Sequence, residues 1–161
     1  MKPAAALPTG AVLRYGLLGL PLAFAALPIY VHVPKLYADE LGLSLALVGG
    51  ILLATRILDA LADPLIGWAS DRGASRLRLI LLALPFLAVG IAGLLAPPAG
   101  AGGVWLAALL VLVTFGYSLA SINYAAWGAE LGTDSDSRTR LVASREGFGL
   151  LGVMLAAALP A

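Results

Sequence analysis

Three charged residues, Arg56, Asp59 and Asp63, stand inside an otherwise apolar run from Leu53 to Arg78. Their i, i+3, i+7 spacing puts them along one stripe of a helix. A charge at membrane depth costs several kcal/mol unless it is paired or faces water, so the stripe reads as a polar path inside a transmembrane bundle. Two carboxylates one turn apart are hard to keep ionised together in a poor dielectric. One is therefore expected to share a proton or to bind a cation. Hard oxygen ligands suit Na+ as well as H+, which makes Asp59 and Asp63 the candidate Na+ ligands and Arg56 the neutralising partner of Asp59. The competing reading is an ion-pair network that only holds this helix against its neighbours.

Two further groups carry chemistry. Gly67, Asp71 and Arg72, with Arg76 close behind, suit a conformational latch: Asp71 caps or pairs across a helix junction, and Gly67 lets another helix pass close by. The plainer reading is an ordinary basic loop. Further along, Tyr117, Ser121 and Tyr124 keep the i, i+4, i+7 rhythm of one helical face. With Asn123 and Trp127 they offer aromatic faces, hydroxyls and an amide to a ring-shaped polar solute. Hydrogen-bonded packing between helices would use the same residues. Arg145 and Glu146 read either as an exposed interfacial pair or as an arginine aimed into the cavity or toward Asp59.

These groups need helices to hold them, and the composition supplies helices of one kind. Of 161 residues, 61% are hydrophobic and 12% charged, with mean hydropathy +0.97. Soluble domains carry about 25% charged residues, so an all-α polytopic membrane protein is expected. A net charge of +1 and no basic patch with interleaved aromatics argue against nucleic acid as a partner. With no cysteine and one histidine, His32, thiolate chemistry and histidine-cluster metal sites are excluded. No GxSxG, phosphate-cradling loop or HExxH is present, so no enzyme and no cofactor are expected.

Apolar runs place spans at about 11–33, 41–70, 77–95 and 104–130, and a fifth segment at 148–161 too short to cross. Residues 32–40 and 131–140 read as polar loops, and Pro21 and Pro28 as bends in the first span. Lys2 and Arg14, then Arg72, Arg76 and Arg78, then Arg138, Arg140 and Arg145 fall on one side, and only Lys35 on the other. The positive-inside rule makes that side, and the N-terminus, cytoplasmic. A chain stopping inside a helix is expected to be a fragment, inactive alone, whose partners are membrane lipid and the missing C-terminal helices.

The stretch ATRILDALADPLIGWASDRGASRLR resembles the second helix and following loop of the glycoside–pentoside–hexuronide:cation symporters, the melibiose-carrier branch of the major facilitator superfamily. SINYAAWGAELGTDSDSRTRLVASRE is similar to that family's fourth helix and next loop. The resemblance implies the first four helices and part of the fifth of a twelve-helix carrier. It puts Asp59 and Asp63 on the coupling-cation carboxylates, Arg56 on their adjacent arginine, Ser118 and Ser121 on cation and sugar positions, and Arg145 on a sugar-site arginine. Where the melibiose carriers have an acidic residue this chain has Ser121, Asn123 stands where a proline is usual, and Gly19–Pro21 supplies no acidic sugar ligand. The implied function is Na+- or H+-coupled symport of a small polar solute, a sugar or glycoside among the candidates, in a bacterial inner membrane. The alternative is a non-transporting scaffold with a buried Arg–Asp–Asp network.

Overall fold

The computed structural model describes residues 7–73 and 75–158, and every regular element among them is helical. In order these are α1 (Thr9–Leu17), α2 (Gly19–Tyr30), α3 (His32–Lys35), a π-helical turn (Leu36–Glu40), α4 (Leu45–Ser70), α5 (Arg76–Leu95), α6 (Gly103–Leu131) and α7 (Ser135–Ala157). Four stretches are long and apolar enough to cross a membrane: Thr9–Glu40, Leu45–Ser70, Arg76–Leu95 and Gly103–Leu131. Lys2 and the end of the fifth apolar segment, 159–161, lie outside the described residues.

Local chemistry explains the boundaries. Ser44 is extended (φ −62°, ψ 139°), and its hydroxyl accepts the Leu47 N–H at 3.2 Å, which starts α4. Gly42, Gly73 and Gly100 carry φ of +70°, +127° and +82°, so the turns before α4, α5 and α6 each use a conformation that favours glycine. The break in the first span falls at Leu18, ahead of Pro21. Pro21 itself lies in the first turn of α2, where its missing N–H has no intrahelical acceptor to lose.

Two expected loops are largely helical. Residues 32–40 form α3 and the π-helical turn, in which the Leu41 N–H reaches the Leu36 carbonyl at 3.2 Å. Pro34 is tolerated because it falls in the first turn of α3, and fully buried Tyr37 and Val33 anchor the segment against the pull of Lys35, Asp39 and Glu40 toward water. Of 131–140, only 132–134 is non-helical. Asp134 caps α7, accepting the Ser137 N–H and hydroxyl, both at 2.8 Å, so that helix begins well before Phe148. Its polar first turns are water-compatible, and its apolar part is the fifth segment.

By contact density the chain divides into two units, 1–27 with 124–161 and 28–123. In the first, α7 lies directly on α1 and α2, and small residues make this approach feasible. A methyl group on Gly16 would strike Ser144 and Phe148, one on Gly19 the Arg145 carbonyl, and one on Gly152 the Leu20 carbonyl. Ser144 donates to the Val12 carbonyl at 3.1 Å across the same seam. In the second unit α5 and α6 meet at Gly90 against Val113 and Gly116 against Phe86, with Phe86 and Phe115 edge-to-face at 5.6 Å. Leu87, Leu94, Leu106, Leu110 and Val113 form the core between them.

Candidate ion-coupling site

Within the second unit α4 and α6 bring Asp59 and Ser118 together. Ser118 Oγ donates to Asp59 Oδ1 at 2.7 Å, and Arg56 Nη1 donates to Oδ2 at 3.2 Å. Both oxygens of Asp59 are thus engaged, and its side chain is 13% exposed against 48% for Arg56. The Arg56 guanidinium lies over the Tyr30 ring, 4.4 Å from its centroid. Tyr30 was not legible as part of this cluster, because nothing in the spacing along one helix points to a ring on another.

Asp63, one turn on, differs from Asp59. Its Oδ1 is buried and has no hydrogen-bond partner among the described residues. A buried carboxylate oxygen left unmatched is costly, and such groups in native proteins call for an explanation: a proton, an ion or water. The Ser121 hydroxyl is directed to its own helix, donating to the Ser118 carbonyl at 3.3 Å, with its oxygen lone pairs still available. No group of three or more His, Cys, Asp and Glu side chains that could hold a metal occurs among the described residues. Any cation here would thus draw on one or two carboxylates plus hydroxyl and carbonyl oxygens.

At the α4–α5 turn the latch candidates separate. Asp71 accepts from Arg76 Nη2 at 2.6 Å. The same arginine reaches Asn123 Oδ1 at 3.5 Å, and Asn123 Nδ2 donates to Ser70 Oγ at 3.1 Å and to the Leu119 carbonyl at 2.8 Å. Asn123 is fully buried, and in this structure its amide ties the ends of α4 and α5 to α6. Gly67 faces Ile122 of α6 at ordinary contact distance. Arg72 takes another direction and stacks on Trp68, 3.4 Å from the ring centroid.

The aromatic residues of the first unit make a compact group. The Tyr124 hydroxyl donates to the Tyr15 carbonyl at 2.7 Å, and the Tyr15 hydroxyl returns a bond to the Tyr124 carbonyl at 3.2 Å. The two rings lie 4.6 Å apart, and Trp127 meets Tyr15 edge-on at 5.5 Å. Gly128 is required there, since a methyl group would overlap the Tyr15 ring and hydroxyl. Tyr124 is 3% exposed, with its hydroxyl committed to backbone. Arg145 pairs with Glu146 at 2.7 Å, and both belong to this unit. Tyr117, half-buried, belongs to the second. Tyr15 was missed from sequence because its partner lies 109 positions away.

The family described as MFS/sugar transport protein matches residues 13–161. The chain is similar to the "Inner membrane symporter YicJ" of Escherichia coli (strain K12), 29% identical over 138 residues, covering 81% of this chain and 30% of the relative. It is also similar to the "Uncharacterized symporter YjmB" of Bacillus subtilis (strain 168), 26% identical over 133 residues, covering 77% of this chain and 29% of the relative. The chain therefore spans about 30% of the length of these curated relatives. No solved structure matches it significantly.

Proposed function

This chain belongs to the MFS/sugar transport protein family, and from that membership we propose that it contributes the first helices of a secondary transporter in which a small cation, Na+ or H+, is coupled to uptake of a small polar solute. The observation that carries the proposal is the contrast between the two carboxylates. Asp59 is held at both oxygens by Ser118 and Arg56, whereas Asp63 keeps a buried oxygen unmatched. Asp63 is then the acceptor of the incoming cation, and Asp59 the fixed charge beside it. Arg56 limits how much positive charge the pair can take up. Ser118 and Ser121 would complete the oxygen set for Na+.

We propose Tyr117 and Ser121 of the second unit and, separately, Trp127 and Arg145 of the first as solute contacts, with a sugar or glycoside as the substrate class that suits rings, hydroxyls and a guanidinium; Tyr124, buried with its hydroxyl bonded to backbone, supports Trp127 through Tyr15 instead. The latch is assigned to Asp71 and its pair with Arg76, with Arg72 beside it; Gly67 has room for a methyl group against Ile122, so the helix approach seen here does not require a glycine. The bacterial plasma membrane with a cytoplasmic N-terminus is the proposed setting.

A carbodiimide that couples to protonated, apolar-shielded carboxyls tests the ion site on the chain itself. Modification of Asp63, read by mass spectrometry, should be slowed by Na+ or by raised pH and be absent in Asp63→Asn. Labelling indifferent to both cations would overturn the assignment. In the intact carrier, Asp63→Asn should abolish uptake driven by either gradient. The scaffold reading has one observation in its favour, the full engagement of Asp59. It requires Asp59→Asn to weaken folding with no effect of cation.

A further inference from the structure

On α4 the arginine of the acidic stripe stands one turn ahead of its acid. Side chains on a helix lean toward its N-terminus, so an arginine placed before its partner leans away from it, the weaker of the two orders. The Arg56 side chain is also about half exposed, and an ion pair open to solvent contributes little by itself. Yet Arg56 Nη1 meets Asp59 Oδ2 at 3.2 Å. A second contact has to keep the guanidinium there.

Tyr30 supplies that contact. The Arg56 guanidinium carbon lies over the Tyr30 ring, 4.4 Å from its centroid. An aromatic face attracts a guanidinium through its π-electrons and leaves the N–H groups free to donate to a carboxylate. Tyr30 and Asp59 therefore hold the same cation from two sides, and Ser118 holds Asp59 in turn, 2.7 Å from Oδ1. The ring has a fixed place of its own. Tyr30 is the last residue of α2, and Ile29 before it and Val33 after it are buried, at 3% and 1% exposure. α3, which opens at His32, packs against α4. The platform under Arg56 is thus set by core packing and not by the arginine.

From this chain of contacts, Tyr30 to Arg56 to Asp59, we propose that Tyr30 is a positioning residue of the ion-coupling site. It keeps Arg56 on Asp59 as a standing counter-charge and leaves Asp63 as the carboxylate of the pair that seeks a cation. Without the ring Arg56 turns to water, Asp59 loses its compensating charge, and the two acids compete for the same proton or ion. The role rests on the assignment of Asp59 and Asp63 to cation coupling.

The test uses the full chain in detergent without Na+, with two reagents read by mass spectrometry at a single pH. Phenylglyoxal reports how freely the Arg56 guanidinium moves, and a carbodiimide reports whether Asp59 has become reactive. Tyr30 is 41% exposed, so its replacement leaves the core of this unit intact. Tyr30→Leu should speed phenylglyoxal modification of Arg56 on the order of fivefold, the factor for losing one cation–π contact, and should leave Arg14 in the same digest unchanged. Carbodiimide labelling of Asp59 should rise severalfold with it. Tyr30→Phe keeps the ring and should restore wild-type rates at both residues. Arg56→Gln should raise Asp59 labelling by itself, and adding Tyr30→Leu to it should change nothing more. Wild-type rates in Tyr30→Leu would overturn the proposal. So would a Tyr30→Phe effect as large as that of Tyr30→Leu, or an added effect of Tyr30→Leu on Asp59 in the Arg56→Gln background, since Tyr30 would then act by a route other than Arg56. Failure of the coupling assignment reads out elsewhere, as labelling of Asp63 indifferent to Na+ while the Arg56 and Asp59 responses persist.

Discussion

Asp59 and Asp63 are the same residue type on the same helix, yet their surroundings differ: one carboxylate has a donor for each oxygen, the other has a buried oxygen with none. The sequence supplied the pair, its shared face and its arginine, all consequences of helical periodicity. It could not say which acid is satisfied, because that depends on Ser118 arriving from another helix. Ser118→Ala should therefore leave Asp59 Oδ1 without its donor and destabilise the fold by about 1–3 kcal/mol, the range for leaving a buried polar group unmatched, as read by thermal unfolding in detergent. Tyr124→Phe should cost about 1 kcal/mol by the same measurement, since it removes the bond to the Tyr15 carbonyl and keeps the ring contact. The sequence offered Tyr124 and Trp127 as solute contacts from their spacing alone; that their neighbour is Tyr15 follows from tertiary packing.

At the scale of the helix, the apolar spans were legible because length and hydropathy survive any packing arrangement, whereas polar segments were misread as loops. Lys35, Asp39 and Glu40 suggested water, but Tyr37 and Val33 decide that segment. The cap of α7 was visible in principle, since Asp134 precedes Ser137 by the spacing of a side-chain cap. Hydrogen bonds from the Ser137 backbone and hydroxyl hold the Asp134 carboxyl below its ordinary range. A carboxyl lowered on folding contributes stability that is present above the unfolded pKa and lost as pH falls through the lower folded one. The first turn of α7 should therefore fray on acidification below the usual aspartate range, seen as faster amide exchange at Ser137, and Asp134→Asn, which still caps, should flatten that dependence. The glycine seam makes another contrast. Gly152→Ala pushes a methyl group into the Leu20 backbone carbonyl and should cost about 1–3 kcal/mol. Gly147→Ala meets open space and should be neutral or stabilising by up to ~1 kcal/mol, compared by thermal midpoints.

For the molecule as a whole, membership of a transport family and four apolar helices agree with the membrane class read from composition. Orientation rests on the distribution of arginine and lysine, and the chain is well suited to test it, because it contains no cysteine. Lys35→Cys should react with a membrane-impermeant thiol reagent added outside intact cells, and Arg138→Cys only in inverted vesicles. Reversed labelling would invert the topology.

The π-helical turn at Leu36–Glu40 amounts to a helix holding one residue more than its ladder needs. Excising a single residue there would let the regular ladder close, and would swing whatever follows by about 100° around the axis. The surplus position therefore works as an angular setting, a spacer that fixes which way the chain leaves the first span on its way to α4. Length variation at this point would change how the chain enters the Leu41–Ser44 turn that precedes α4, without altering any residue of the acidic stripe.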